Sequence, residues 1–161
     1  MTGRMRYFHG SCDYAPPGTV FRGRGDAYEQ FWKITDFYLA LERWRPPAAL
    51  AHRDAVFMVA SPGEVEDASA RNPDWIMEMA PRGAVARYDM NWCSLVAGLV
   101  CGGAAIDSPE VRNAAEGYWS GLPHPRRDPL WEYLAAEAEV LRVAPFADFH
   151  AGAPEETEVE P

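Results

Sequence analysis

Met5-Arg6-Tyr7-Phe8-His9-Gly10-Ser11 ends a short apolar run in a histidine, followed at once by a glycine and a hydroxyl residue. Residues 6–9 read as the first strand. The corner after it offers one ligand an imidazole, a backbone unobstructed by a side chain, and an OH. A three-residue corner is common by itself. It gains meaning from acidic and aromatic residues on later elements, and Phe57, Asp89 and Glu132 are the candidates.

Outward from this strand, Pro16-Pro17-Gly18 and Arg22-Gly23-Arg24-Gly25 read as loop. Asp26 is expected to cap a helix with Glu29 as its capping-box partner. That helix places Phe31, Ile34, Tyr38 and Leu41 on one face and stops before Pro46-Pro47. Residues 54–60 form a buried strand, and Ser61-Pro62-Gly63-Glu64 opens a short helix. Residues 74–80 are a third strand, which Pro81-Arg82-Gly83 turns into a fourth over 84–88. Trp92, Leu95, Val96, Leu99 and Val100 recur at helical spacing, a core-facing stripe ended by Gly102-Gly103. Ser108-Pro109-Glu110 starts another helix and Gly121 ends it. Pro123-His124-Pro125-Arg126-Arg127 is a loop. Residues 129–134 are strand or one helical turn, and 139–144 the last strand. Strands and helices mix without regular βαβ alternation, so the expected class is α+β: a split, mostly antiparallel sheet with flanking helices.

The 161 residues suffice for one domain with a real core. The domain is expected over 1–147, with 148–161 an acidic, disordered tail; its last stretch, 151–161, holds four glutamates and two prolines. The longest apolar run, 95–106, has 12 residues, too short to span a bilayer. No apolar leader follows the first residues, so a soluble cytoplasmic protein is expected. Cys12, Cys93 and Cys101 form no CxxC pair, which argues against a disulfide framework or a structural zinc. His9 and Cys12 have ligand-like spacing, but no second pair completes a tetrahedron, so no metal is expected.

The net charge of −9 weighs against nucleic acid as a partner. The charge is uneven. Residues 1–53 carry eight basic and five acidic side chains, and 54–161 carry seven and nineteen. The basic third suits a small anion such as a pyrophosphate.

Three segments stand in a suggestive order: Tyr7-Phe8-His9-Gly10-Ser11, then Ala55-Val56-Phe57-Met58-Val59-Ala60-Ser61, then Trp131-Glu132-Tyr133-Leu134 with Glu139-Val140-Leu141-Arg142-Val143. This order resembles the ADP-ribosyltransferase fold. There a strand ending His-Gly-Thr/Ser holds NAD, a second strand gives an aromatic that stacks on nicotinamide, and a later strand gives a catalytic carboxylate. The middle of the chain is similar to the rifamycin-inactivating branch, whose Pro-x-Gly turn leads to an acidic residue followed by x-Asn. Here Ala80-Pro81-Arg82-Gly83-Ala84-Val85 leads to Asp89-Met90-Asn91. The C-terminal part is similar instead to the toxin-like branch. Phe57 stands where tyrosine is usual, so the ring is kept and the hydroxyl lost. No Glu-x-Glu pair surrounds Glu132, which argues against an arginine-modifying toxin.

The resemblance implies an NAD-dependent transferase that moves ADP-ribose to a small-molecule or protein acceptor and releases nicotinamide. NAD is then a co-substrate. His9 would hydrogen-bond the adenosine ribose, the backbone of Gly10 would take the nicotinamide amide, and Ser11 would support the corner. Phe57 would stack on nicotinamide. Arg22 or Arg24 would pair with the pyrophosphate. Either Asp89 or Glu132 would be the catalytic carboxylate, steadying the positive charge that develops on the ribose as the bond to nicotinamide breaks. Each has a plainer alternative: a satisfied strand-end histidine, a core phenylalanine, an N-cap aspartate, a solvated glutamate. The competing functions are a non-catalytic interaction protein on the same fold, an NAD glycohydrolase, and a tRNA 2′-phosphotransferase-like enzyme, the last disfavoured by the net acidity. Acceptor identity and oligomeric state stay open.

Overall fold

A computed structural model describes residues 5–28, 35–68 and 72–150. Among the described residues, seven strands and five α-helices follow one another as β1 (Tyr7–Ser11), β2 (Val20–Arg22), α1 (Thr35–Arg43), β3 (Val56–Met58), α2 (Glu64–Ala68), β4 (Trp75–Arg82), β5 (Ala86–Asp89), α3 (Met90–Cys101), α4 (Pro109–Trp119), β6 (Trp131–Ala135), β7 (Glu137–Pro145) and α5 (Phe146–His150). Short 3-10 turns cover Gly25–Ala27 and His52–Asp54. The strands make two antiparallel sheets, of four strands in the order β1-β4-β7-β2 and of three in the order β3-β6-β5. The protein is therefore α+β with antiparallel sheets. No helix among the described residues is long and apolar enough to cross a membrane.

Strand alternation assigns the layers. Val56, Met58, Tyr133 and Ala135 point from the three-stranded sheet toward Met77, Met79, Ala138 and Val140 of the other, forming an intersheet core. The opposite face carries Leu134 and Tyr88, with Phe57 packed beside them, against Leu41 of α1, Val96 of α3 and Val111, Ala115 and Tyr118 of α4. Glu132 shares the parity of Leu134 and pairs with Tyr88, so it points into this helical layer. A third cluster, Phe8, Val59, Val65 and Ile76, anchors α2.

The helix signals act as read. Ser108 caps α4, with Pro109 in its first turn. Gly102 caps α3, and Gly103 follows at φ 93°. The Ser61 hydroxyl bonds the Glu64 carboxylate at the start of α2, 3.0 Å away.

Other expectations need correcting. β2 lies inside the segment read as loop, because it pairs with β7, whose partner residues are remote in sequence. Asp26 sits within the Gly25–Ala27 turn, and its carboxylate is engaged by Arg53; Glu29, Phe31 and Ile34 lie outside the described residues. β4 runs past Ala80 through Pro81 to Arg82, and the turn falls at Gly83, φ 82°. Pro81 shares the parity of Met77 and Met79, which bond toward β1, but β1 starts opposite Met79. The missing N–H thus faces a vacated edge, where proline is tolerated. On α3, Val96 is fully buried while Leu95 is 41% exposed. The apolar stripe is rotated toward α4 and α1, the helices that pack against α3. The helix α5 also carries regular structure three residues past the expected domain end at 147, with Phe146 packed on the third cluster. Residues 151–161 lie outside the described part.

Candidate active site

β1 is an edge strand of its sheet. On one side it pairs with β4, and on the other it meets the chain just past β3 through a bridge between Phe8 and Val59. Phe8 N–H donates to Val59 O at 2.8 Å, and Val59 N–H returns a bond of 2.9 Å. Backbone groups two residues apart on a strand point the same way. The N–H and C=O of Gly10 therefore point off the same edge, beyond the bridge, where the two sheets part. Gly10 is also required for packing. A Cβ there would lie 2.5 Å from Val65 Cγ1 and 2.9 Å from Pro73 Cγ.

His9 Nδ1 lies 2.7 Å from the carbonyl oxygen of Phe57. A carbonyl only accepts, so Nδ1 carries the hydrogen and Nε2 of the neutral ring is an acceptor. Burial pushes the pKa of His9 below its ordinary value, outweighing the bond to Phe57, and the charge of Arg24 adds to the lowering. The Ser11 hydroxyl is tied into a local turn, donating to Asp13 O at 2.8 Å and accepting from Asp13 N–H at 3.0 Å. It braces the end of the strand.

One cavity of about 720 Å³ takes in His9, Gly10, Ser11, Arg22, Arg24, Phe57 and Glu132 together. Its size falls in the range of pockets that hold small organic ligands, roughly 300–1,000 Å³. α3 closes one flank with Met90, Cys93, Ser94 and Ala97. Arg22 is partnered by Glu137 at 2.8 Å. The Phe57 ring lies parallel to Tyr28, 6.0 Å between centroids, and meets His52 edge-on at 5.1 Å. One face of this aromatic is thus occupied by protein.

The two candidate carboxylates have different surroundings. Asp89 is fully buried at the N-terminus of α3 and is absent from the cavity wall. Its Oδ1 accepts from Asn91 N–H (3.0 Å), Asn91 Nδ2 (2.9 Å) and Leu130 N–H (3.1 Å), and its Oδ2 from His124 N–H (2.7 Å). Burial alone would raise its pKa, but the three backbone N–H groups and the Asn91 amide together hold it below the ordinary value. Asp89 ties the cap of α3 to the connection between α4 and β6 at two points, His124 and Leu130. His124 is part of this knot, its ring tilted at 59° against Trp92 with centroids 4.7 Å apart.

Glu132 is buried on β6 but borders the cavity. Its Oε1 accepts the hydroxyl of Tyr118 at 2.7 Å. Burial pushes its pKa up to about 7, partly opposed by that bond. A carboxyl that titrates near neutrality beside a cavity is a recognised mark of a functional group. Tyr118 in turn contacts His52, its Oη 2.7 Å from Nε2, and His52 Nδ1 is 3.1 Å from the Tyr28 hydroxyl.

Sequence reading missed Tyr118, His52 and Tyr28. Tyr118 reads as one more helix residue, and His52 sits in an Ala-His-Arg-Asp stretch with no recognisable motif. No local signal marks either one, since the contact between them joins residues 66 apart. Among the described residues, no group of three or more His, Cys, Asp or Glu is placed to hold a metal ion. In comparisons with known proteins, no family model and no curated protein matches the chain.

Proposed function

We propose that this protein is an NAD-dependent ADP-ribosyltransferase and that its two antiparallel sheets are the split sheet of that fold. The observation that carries this reading is the meeting of His9 and Gly10, Phe57, and Glu132, from three separate places in the sequence, on one cavity. Each brings a group suited to a dinucleotide. Neutral His9 has Nε2 as an acceptor for a ribose hydroxyl. The Gly10 backbone presents a donor and an acceptor off a strand edge, matching a carboxamide. Arg22 and Arg24 border the same space and suit phosphate oxygens. Bound NAD would supply a ribose–nicotinamide bond whose electron pair returns to the nicotinamide nitrogen on cleavage, leaving positive charge at the ribose.

The chain's part is to hold and stabilise. Glu132 would face the ribose and, when ionised, oppose the developing charge. At about 4 Å and an effective dielectric of about 20, one such pair is worth roughly 4 kcal/mol. If gained only in the transition state, it approaches a thousandfold in rate. Asp89, with four bonds inside the fold, is read as structural, which leaves Glu132 as the catalytic carboxylate. The acceptor, a small molecule or a protein side chain, would attack the ribose carbon and lose its proton.

The test is nicotinamide release from NAD, followed chromatographically, beside thermal unfolding with and without NAD. Wild type is expected to release nicotinamide and to be stabilised by NAD. Glu132→Gln is expected to keep the thermal shift and lose turnover by about two to three orders of magnitude. Absence of both thermal shift and release at millimolar NAD overturns the proposal. Release without any added acceptor would identify water as the acceptor. Labelled NAD in a lysate would show where ADP-ribose goes.

A further inference from the structure

We propose that His52 and Tyr118 are positioning residues for Glu132, and that Tyr28, His52 and Tyr118 form a one-way hydrogen-bond relay aimed at its carboxylate. The role of Glu132 in catalysis rests on the transferase reading; the relay itself rests on geometry alone.

The four groups are contiguous and buried: Tyr28 Oη to His52 Nδ1 at 3.1 Å, His52 Nε2 to Tyr118 Oη at 2.7 Å, and Tyr118 Oη to Glu132 Oε1 at 2.7 Å. They come from four different parts of the chain, the Tyr28 segment, the His52–Asp54 turn, α4 and β6. A relay this closely spaced leaves few ways to place its hydrogens. An ionised Glu132 only accepts, so Tyr118 must give its single hydroxyl hydrogen to it. Tyr118 Oη then takes its other bond from His52, which puts the imidazole hydrogen on Nε2. Neutral His52 is left with a bare Nδ1, which the Tyr28 hydroxyl fills. Every bond donates toward the carboxylate, and bonds so aligned polarise one another.

The surroundings favour this arrangement over a charged imidazole. His52 is held neutral, its pKa lowered to about 3, chiefly by burial and also by the charge of Arg45. The other ionisable groups facing Glu132 are Tyr88 on β5 and Cys93 on α3, and the pKa of each is raised by burial and by Glu132 itself. Tyr118 is likewise pushed well up, so it stays a donor. No cation is among these groups. Within this constellation the hydrogen bond from Tyr118 is what favours the ionised carboxylate.

Protonation of Glu132 reverses the logic. A carboxylic acid donates to Tyr118 Oη, Tyr118 donates to His52 Nε2, and His52 moves its hydrogen to Nδ1 and donates to Tyr28. Each residue keeps its net charge except Glu132. The relay thus registers the state of the carboxylate as a tautomer of His52.

The experiment follows the carboxyl signal of Glu132 by carbon-13 NMR across pH in the ligand-free full chain, with the imidazole nitrogens of His52 observed in nitrogen-15-labelled protein. Tyr118→Phe removes the donor to the ionised form and is expected to raise the Glu132 titration by about one to two pH units. His52→Leu is expected to raise it less. His52→Gln, which has both a donor and an acceptor, is expected to restore it. In wild type, His52 is expected to be Nε2-protonated above the Glu132 titration and Nδ1-protonated below it. In nicotinamide release, the ascending limb of kcat against pH is expected to move with the Glu132 titration, while KM for NAD changes little. An unshifted Glu132 titration in folded Tyr118→Phe overturns the relay. If that variant does not fold, equal titrations in His52→Leu and His52→Gln overturn it instead. Lack of nicotinamide release by wild type counts against the transferase reading only, because the titrations use no NAD.

Discussion

At the residue scale, two acidic side chains compete for one role, and their hydrogen bonds separate them. Asp89 receives four donors and does not line the cavity that Glu132 borders, while Glu132 receives a tyrosine hydroxyl beside that open space. A carboxylate saturated by fixed donors is a structural anchor, because moving it leaves buried N–H groups unpaired. Asp89→Ala strips the acceptor from the backbone N–H groups of Asn91, His124 and Leu130 at once. The expected loss is about 3 kcal/mol, from the cap and the orphaned donors together. It should appear as a lower urea midpoint, with turnover per folded molecule kept within about tenfold. Glu132→Gln should do the reverse, keeping the fold and losing turnover. If Asp89→Ala leaves stability unchanged and abolishes turnover, the two assignments are exchanged.

At the element scale, the close approach of α3 and α4 depends on one glycine. A Cβ on Gly117 would lie 2.7 Å from Trp92 Cε3. Gly→Ala inside a helix ordinarily stabilises it by about 1 kcal/mol. Overpacking costs about 1–3 kcal/mol. The outcome depends on whether the indole yields. Trp92 is held by a bond from Nε1 to Leu122 O at 3.1 Å and by the His124 ring packed against it at a tilt. The clash should therefore win, and Gly117→Ala should lower the urea midpoint by about 1 kcal/mol equivalent; a raised midpoint would show that Trp92 moves freely. Nothing in the sequence marks Gly117, because its constraint lies on another helix. Caps show the opposite case. Ser108, Gly102 and the Ser61–Glu64 pair act on neighbours within four residues, and the ends they set were readable. The three-residue β2 was not, since its partner strand begins 115 residues later. The site divides along the same line. The His9-Gly10-Ser11 stretch is contiguous and was visible, though it continues β1 to Ser11 and does not turn a corner after residue 9, whereas His52 and Tyr118 gain meaning only when β6 brings Glu132 between the layers.

At the scale of the whole molecule, two buried groups tilt stability with pH in opposite directions. Glu132 titrates near 7 in the fold instead of near 4.5. Between those values the folded state holds a proton that the unfolded chain has lost, so stability falls as pH rises through the window. His52 titrates near 3 in the fold instead of near 6.5. There the unfolded chain binds a proton that the folded state refuses, so stability rises with pH across that window. The windows overlap from 4.5 to 6.5, where one proton taken up cancels one released. From these two groups wild type should show a plateau there, a decline on the acid side and a smaller decline up to about pH 7. Glu78 and Asp89, held below their ordinary values, deepen the acid decline as they are protonated. Urea midpoints at pH 4, 5.5 and 8 separate the contributions. Glu132→Gln removes the falling slope, so its stability should climb through the plateau and exceed wild type at pH 8 by up to about 3 kcal/mol. His52→Gln removes the rising slope and should leave stability falling from 4.5 to 7. If Glu132→Gln parallels wild type at all three pH values, Glu132 is not the buried, proton-holding carboxyl on which both the catalytic assignment and the relay depend.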